Sequence, residues 1–337
     1  MRSIVGVITY RLLQVILLPF AAAGYAVFVA QSVAYGRRSG TSATVLASLY
    51  TRYMQHRLGT RNDEPAARLM MVMPGVSHPG LFFVTLPTLL THRLTGYVPG
   101  IYRYPYEGEP PLMHHPAART TYYDNAIERH IRDVEQFVVL GAGFDTRVYR
   151  LPDVGRQANV RCFEVDAPRT QAFKREMLAK AGVDAMRATY VPADFQKEDW
   201  FEQLVNAGFD PEKPSLFTWE GVTMYLYPDA VESSLRKIAS TAAGSIVAFD
   251  YFSAELIESN SFFMRYARAV MRRTGEPWHF GIDNTPPARQ RAVEFLERCG
   301  LVMEEQRNFG PETKWMRAMA GFAIANVPSH AAFTPLR

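Results

Sequence analysis

The chain has 337 residues, 48% of them apolar, with a formal net charge of +4 and two cysteines, Cys162 and Cys299. Such a length supplies a full core for one large domain or two small ones. The charge is too small to imply a nucleic-acid partner without a Lys/Arg-rich block in an aromatic setting, and two distant cysteines exclude a disulfide scaffold or a cysteine zinc site and fit a reducing compartment.

Residues 12–34 carry no charge; Gln14, Gln31 and Ser32 are their clearly polar side chains, and Pro19 and Gly24 interrupt the run. About 20 apolar residues are what a bilayer-spanning helix requires, and proline is tolerated there. Arg2, Arg11, Arg37 and Arg38 flank both ends, so charge asymmetry orients the segment weakly. A secretory signal usually has a shorter apolar core, and a buried core helix is the plain alternative. The preferred reading is a membrane-anchor helix over residues 1–36.

Residues 37–115 are expected to form a helical cap. Apolar residues recur at three- and four-residue spacing in Val45, Leu49 and Tyr53 and again in Ala66, Leu69 and Met70. Glu64-Pro65 suits a helix start. The run LFFVTLPTLL, cut by Pro87 and followed by His92 and Arg93, is too short and broken to span a membrane. It reads as a lid over a substrate pocket, an interfacial helix, or core packing. Residues 97–113, rich in Tyr, Pro and Gly, predict an aromatic loop. His114-His115 has no acidic or histidine partner at ligand spacing, so it reads as a loop pair and no metal is expected.

A larger unit is expected over 116–330, with a tail at 331–337. Its opening helix, 116–134, carries Arg119, whose guanidinium suits a two-point contact with a carboxylate, although a surface ion pair is the commoner use. Then comes the stretch around which the chain is organised, FVVLGAGFDTRVYR at 137–150. A buried strand breaks into Gly141-Ala142-Gly143, and Asp145 and Thr146 supply cap chemistry before a helix opens. Glycines let a ligand approach the backbone, and a helix start offers free N–H groups. An ordinary tight turn would look the same in isolation.

A second strand, VRCFEV, ends at Asp166, close to the separation at which an acidic residue meets ribose hydroxyls in nucleotide sites. Arg147 and Val148 stand where a dinucleotide fingerprint wants a third glycine, which argues against nicotinamide or flavin and for a single adenosine. TYVPA leads to Asp194 and Phe195, an acid and an aromatic suited to an adenine, and SLFTW ends in Glu220-Gly221. Ligands of open α/β sheets sit at the carboxyl ends of strands, so these four strand ends are expected to converge. Downstream, helices at 229–239, 262–273 and 288–299 alternate with strands at 245–249, 301–309 and 321–327, and 278–287 reads as a loop that includes His279 and Asp283. The expected fold is α/β: a seven-stranded, mostly parallel Rossmann-like sheet with an antiparallel last strand, a helical cap and the anchor.

GAGFDTR after an apolar strand, FEVD, the acidic strand end at Asp194, EGVTMYL, and RTTYYD at 119–124 together resemble the leucine carboxyl methyltransferase-like family of S-adenosylmethionine-dependent methyltransferases, over roughly residues 41–327. The family usually has Asp-Pro where Glu64-Pro65 stands. The resemblance implies a class I methyltransferase fold using S-adenosyl-L-methionine. It implies that Arg119 holds the methionine carboxylate, that Gly141, with the turn through Gly143 and Asp145, contacts the methionine part, and that Asp166 meets the ribose. Asp194 and Phe195 would meet the adenine, and Glu220 would lie on the sulfonium side.

The expected reaction is direct methyl displacement onto a carboxylate or hydroxyl of a small-molecule or lipid-like acceptor. A carboxylate needs no base; a hydroxyl does, with Tyr225, His279 or Asp250 as candidates. The anchor implies membrane attachment with the catalytic part facing the cytoplasm, where the cofactor is available. Two rivals stand beside this: an inactive nucleoside-binding fold serving as a membrane-associated interaction protein, and a nicotinamide-dependent oxidoreductase.

Overall fold

The computed structural model describes residues 2–39, 43–108, 111, 114–154, 160–273, 275–310, 312 and 318–329. The tail at 331–337 and the loop residues Trp315 and Met316 lie outside them. Five helices come first: α1 (Arg2–Ile16), α2 (Leu18–Ser39), α3 (Ala43–Arg57), α4 (Glu64–Val72) and α5 (His78–Thr95). After α6 (His115–His130) the alternation begins with β1 (Gln136–Leu140), α7 (Arg147–Val154), β2 (Arg161–Asp166), α8 (Pro168–Lys180) and β3 (Thr189–Pro192). It continues through α9 (Trp200–Asn206), β4 (Ser215–Trp219), α10 (Pro228–Ala239), β5 (Ile246–Ser253), α11 (Ala254–Glu258) and α12 (Phe262–Arg273). It closes with β6 (Gly281–Ile282), α13 (Ala288–Arg298), β7 (Val302–Phe309) and β8 (Ala320–Asn326).

The strands form one sheet in the order β3-β2-β1-β4-β5-β8-β7, with the two-residue β6 beside β5. Strands β1 to β5 pair in parallel, and β8 runs antiparallel between β5 and β7. The antiparallel last strand is as expected; β6, inside the segment read as a loop, adds an eighth. β5 also runs past Asp250 to Ser253, because Tyr251 and Phe252 find partners in Gly321 and Ala320 of β8. Strands β1 and β4 are buried along their whole length, which explains their mostly apolar composition; Gln136 and Ser215, the polar residues that open them, bond each other at 3.0 Å. The chain reverses direction of strand addition at β1, between β2 and β4, and this switch point opens a crevice at the strands' carboxyl ends.

The cap is welded to the sheet domain by an apolar cluster. Leu49, Tyr53 and Met54 of α3 and Leu69 and Met70 of α4 pack with Met177 and Leu178 of α8 and with Phe144 behind the glycine turn. α4 opens on Asp63, whose side chain accepts from the Ala66 N–H, with Pro65 in the first turn. The histidine pair does not lie in a loop: it opens α6, and the His115 ring is wedged against Phe309 and Phe322 at 4.5 and 5.6 Å. Burial pushes its pKa down to about 3, so it sits there neutral.

The apolar N-terminal segment does not form one straight helix, although its two bent limbs together have the length and composition of a broken span. Among the described residues no single helix is long and apolar enough to cross a membrane; the segment breaks between Ile16 and Leu18, and the two limbs diverge by 71°. Pro19, in the first turn of α2, has no N–H to give to the carbonyl of Val15 and clashes with the preceding turn. The ladder stops with Leu17 N–H donating to Leu13 O and restarts with Ala21 N–H donating to Leu17 O, each at 2.9 Å. Both limbs pack on α5.

Candidate active site

The site begins at the turn after β1. Gly141 and Gly143 have φ of 62° and 44°, the left-handed region that glycine enters without strain. Space enforces the choice at Gly141, where a Cβ would stand 2.3 Å from a Val222 methyl. The N–H groups of Gly141 and Ala142 both donate to Val165 O, at 2.8 and 3.2 Å, which folds the turn back over β2. Asp166, at the end of β2, accepts from the N–H groups of Gly143 (2.5 Å) and Ala167 (2.6 Å) and so fixes the turn from the other side. Burial pushes its carboxyl up, against these two bonds.

Asp145 accepts from the Arg147 N–H at 2.7 Å, the cap interaction expected at the start of α7. Its other oxygen meets Arg52 at 3.2 Å and also Arg147. Glu220, at the end of β4, faces three guanidiniums: Arg52 at 3.0 Å, Arg119 at 3.1 Å, and Arg147. Burial pushes its pKa up, but Arg147, Arg52 and Arg119 outweigh that and hold it at about 2. Behind them Asp124 accepts from Arg61 (2.7 Å), Arg147 (2.8 Å) and Arg150 (3.0 Å), and lies well below the usual carboxylate range despite its burial. Asp63 completes the chain through Arg61 and the Thr146 hydroxyl. Removing this many charges from water is tolerable only because each carboxylate meets a guanidinium.

Asp250 lies in β5, behind Gly221 of the lining. It accepts from the Gly221 N–H at 2.6 Å and the Tyr123 hydroxyl at 3.0 Å, and burial pushes its carboxyl up. The positive φ of Gly221, 68°, leaves room for Arg119, whose Nη1 would stand 2.9 Å from a Cβ placed there. Arg119 also donates from Nη2 to the Ser48 hydroxyl of α3 at 2.8 Å. Asp194 accepts from the Gln196 N–H and pairs with Lys197, both at 3.0 Å, and stays partly exposed. The Phe195 ring stacks on Trp219 at 6.0 Å.

All these elements enclose one cavity of about 700 Å³, and Arg119, Gly141, Gly143, Asp145, Asp166, Asp194, Phe195, Glu220 and Tyr225 all line it. Of the remaining expected residues, His279 does not line it; its ring packs on Tyr227 at 4.2 Å. Asp250 lies behind the lining, tied up by Tyr123 and Gly221. Neither is placed to take a proton from a ligand in the cavity. The lining also includes Arg52, Ser48, Tyr50, Tyr102 and Glu276, which sequence reasoning did not assign. Arg119 was expected from its motif, but the pairing of Arg52 had no local signal, since Arg52 and Glu220 are 168 residues apart. Among the described residues no group of three His, Cys, Asp or Glu side chains could hold a metal ion.

Comparison with known proteins gives the site a family. The leucine carboxyl methyltransferase family model matches residues 105–239. A protein of Mycolicibacterium vanbaalenii is 33% identical over 233 residues, covering 64% of this chain and 74% of its own. One of Mycolicibacterium smegmatis is 34% identical over 220 residues, covering 64% of this chain and 67% of its own. One of Mycolicibacterium paratuberculosis is 42% identical over 135 residues, 40% of this chain, and there the chain spans only 44% of its relative. All three carry the provisional name S-adenosyl-L-methionine-dependent methyltransferase. With the glycine turn, the acidic strand ends and the arginine-lined floor in one cavity, the chain belongs to the leucine carboxyl methyltransferase family of S-adenosyl-L-methionine-dependent methyltransferases.

Proposed function

We propose that this chain moves a methyl group from S-adenosyl-L-methionine to an oxygen of a small apolar or lipid-like acceptor, a carboxylate in preference to a hydroxyl. The observation that carries this is the meeting of the glycine turn and the ends of β2, β3 and β4 with the cap's Tyr50 and Tyr102 around one cavity. The residues fit the cofactor. Arg119 offers a cation for its carboxylate, Gly141, Gly143 and Asp145 a close-approach turn, Asp166 an acceptor for ribose hydroxyls. Asp194 and Phe195 offer an acid and a ring face for adenine, and Glu220 is a carboxylate kept ionised for a positive sulfur. The cofactor supplies a methyl already activated on a sulfonium, so the protein's work is to align the acceptor and exclude water.

The preference for a carboxylate acceptor rests on the shortage of bases. Glu220 at about 2 is too weak, Asp166 is held by two N–H groups, and burial pushes the Tyr102 hydroxyl up to about 12. An acceptor that arrives ionised needs none of them. Asp145 and Asp194 are held below their ordinary values and burial pushes the Tyr50 hydroxyl up, so a hydroxyl acceptor would call on Tyr225 or Glu276 of the lining. The wall built of Tyr50, Ile101, Tyr102 and Val222 favours an apolar body on the acceptor.

The test is to incubate the chain with membrane extracts and methyl-labelled cofactor, then treat the products with base. Base-labile label supports a methyl ester; base-stable label moves the reading to an ether. Absence of any calorimetric signal with S-adenosyl-L-methionine would sink it.

A further inference from the structure

We infer that α1, α2 and the outer face of α5 form a seat that lies in one leaflet of a membrane carrying anionic lipid, parallel to its plane rather than across it. The limbs α1 and α2 are apolar on two sides. Inward, Gly6 meets Tyr97 and Gly24 meets Gly80, where an added Cβ would stand 2.9 Å from the Gly80 carbonyl oxygen. The rings of Tyr10 and Tyr97 lie 5.4 Å apart there, and those of Phe20 and Phe83 6.0 Å. Outward, Ile4, Leu12, Val15, Ile16, Leu18 and Tyr25 are 58–71% exposed. On α5, Phe82 at 57% and Leu94 at 64% extend the same apolar surface. A helix apolar all round belongs in a core or a membrane, and a soluble surface rarely exposes so many large apolar side chains together.

Charge selects the occupant. Residues 1–106 contain ten arginines and only two acids, Asp63 and Glu64, and even without Arg52 and Arg61, buried in the site's charge network, and Arg68, paired with Glu64, seven arginines remain. Both acids are spoken for, Asp63 by buried Arg61 and Glu64 by Arg68 at 2.5 Å. Arg11 and Arg93 are exposed on α1 and α5. Beneath α5 a second cavity of about 590 Å³ is lined by Leu81, Leu86, Leu89 and Leu90 together with Arg57 and Arg93, the chemistry of an acyl chain with an anionic head. Apolar insertion combined with a basic surface is the pattern of an interfacial helix on anionic lipid.

Geometry selects the orientation. The 15 residues of α1 reach about 22 Å, short of the roughly 30 Å hydrocarbon core; the 22 of α2 would reach about 33 Å but pack along α5. The limbs diverge by 71° and are held on α5, whose Leu81 packs in the cluster that joins α3 and α4 to α8. Phe28 of α2 also packs on Tyr50, a wall residue of the active-site cavity, with ring centres 6.2 Å apart. The seat therefore lies against the wall through which a lipid-like acceptor would come.

The test uses the full-length chain with vesicles of phosphatidylcholine alone and of phosphatidylcholine with phosphatidylglycerol. Co-sedimentation is expected with the second kind, weakened by salt. Leu12→Glu with Leu18→Glu, and separately Arg11→Glu with Arg93→Glu, are expected to cut binding to anionic vesicles about ten-fold or more. Calorimetric affinity for S-adenosyl-L-methionine should be unchanged in both variants, which separates this inference from the proposed activity. Cysteines placed at Ser3 and Thr41, read over the background of Cys162 and Cys299, should both react with an impermeant maleimide added outside the vesicles. Protection of one of the two would show a span and overturn the in-plane seat. Absence of binding to either vesicle would overturn it too, as would dimers that the Leu12→Glu, Leu18→Glu pair turns into monomers in the absence of lipid binding.

Discussion

Arg119 of α6 and Glu220 at the end of β4 meet at 3.1 Å on the floor of the cavity, with Arg52 and Arg147 on the same carboxylate. Three cations keep one anion ionised, and that anion lines the cavity. Glu220→Gln removes its charge while keeping its shape. If the carboxylate faces the sulfonium, affinity for S-adenosyl-L-methionine should fall several-fold more than affinity for its uncharged demethylated product. The ratio of the two constants, measured by calorimetry, checks this and is insensitive to any general loss of stability.

Gly141→Ala forces both a disfavoured φ of 62° and a 2.3 Å approach to Val222. The expected result is at least a ten-fold loss of cofactor affinity, because about 1–2 kcal/mol of backbone strain alone approaches that factor. Adding Val222→Ala relieves the contact but not the φ, so the double variant should recover only part of the affinity. Full recovery would show that the glycine is needed for space alone.

Arg147 bonds Asp124, Asp145 and Glu220 at once. Arg147→Met leaves these buried carboxylates short of a partner and is expected to cost about 3–5 kcal/mol in urea unfolding. Arg147→Lys should recover little, since one ammonium cannot reproduce a guanidinium that bonds through Nε and Nη1 in different directions.

Acid should expose the same network. Glu220 ordinarily titrates near 4.5 and here near 2, and Asp124 is also held low. Depressed carboxylates contribute stability that is present above their unfolded pKa and is lost as pH falls through the folded one. Asp166 and Asp250, which burial pushes up, work in the opposite sense, losing stability as pH rises from about 3.8 through their folded values. Between pH 4.5 and 2 the stability of Glu220→Gln should therefore fall less steeply than that of the parent chain, a difference that urea titrations at several pH values would register.

Much of the parallel sheet was legible in the sequence because its signals are local. FVVL is a continuous apolar run, as a strand buried on both faces requires, and VRCFEV and SLFTW keep enough large apolar residues around Arg161, Glu164, Ser215 and Thr218 to read as strands. The glycine turn was legible because positive φ and close approach admit few residues, and α12 has the bounds expected of the basic and aromatic run at 262–273. The nine residues expected at the site do line one cavity, since strand ends in a parallel sheet share an edge whatever lies between them.

Other features had no local cause to read. The length of β5 past Asp250 is decided by β8, which offers hydrogen-bonding partners some seventy residues later, and β6 exists only because β5 runs on beside it. The apolar N-terminal stretch looked like one span because composition ignores direction, whereas the missing N–H of Pro19 and the glycine crossing with α5 bend it by 71°. Arg52 reached the lining of the site only when α3 packed over the sheet, and Arg61 and Arg147 found carboxylates behind that lining, most of them far away in sequence. An arginine in a sequence is a charge without a partner; the fold chooses the carboxylate, because burial makes an unpaired charge too costly to keep.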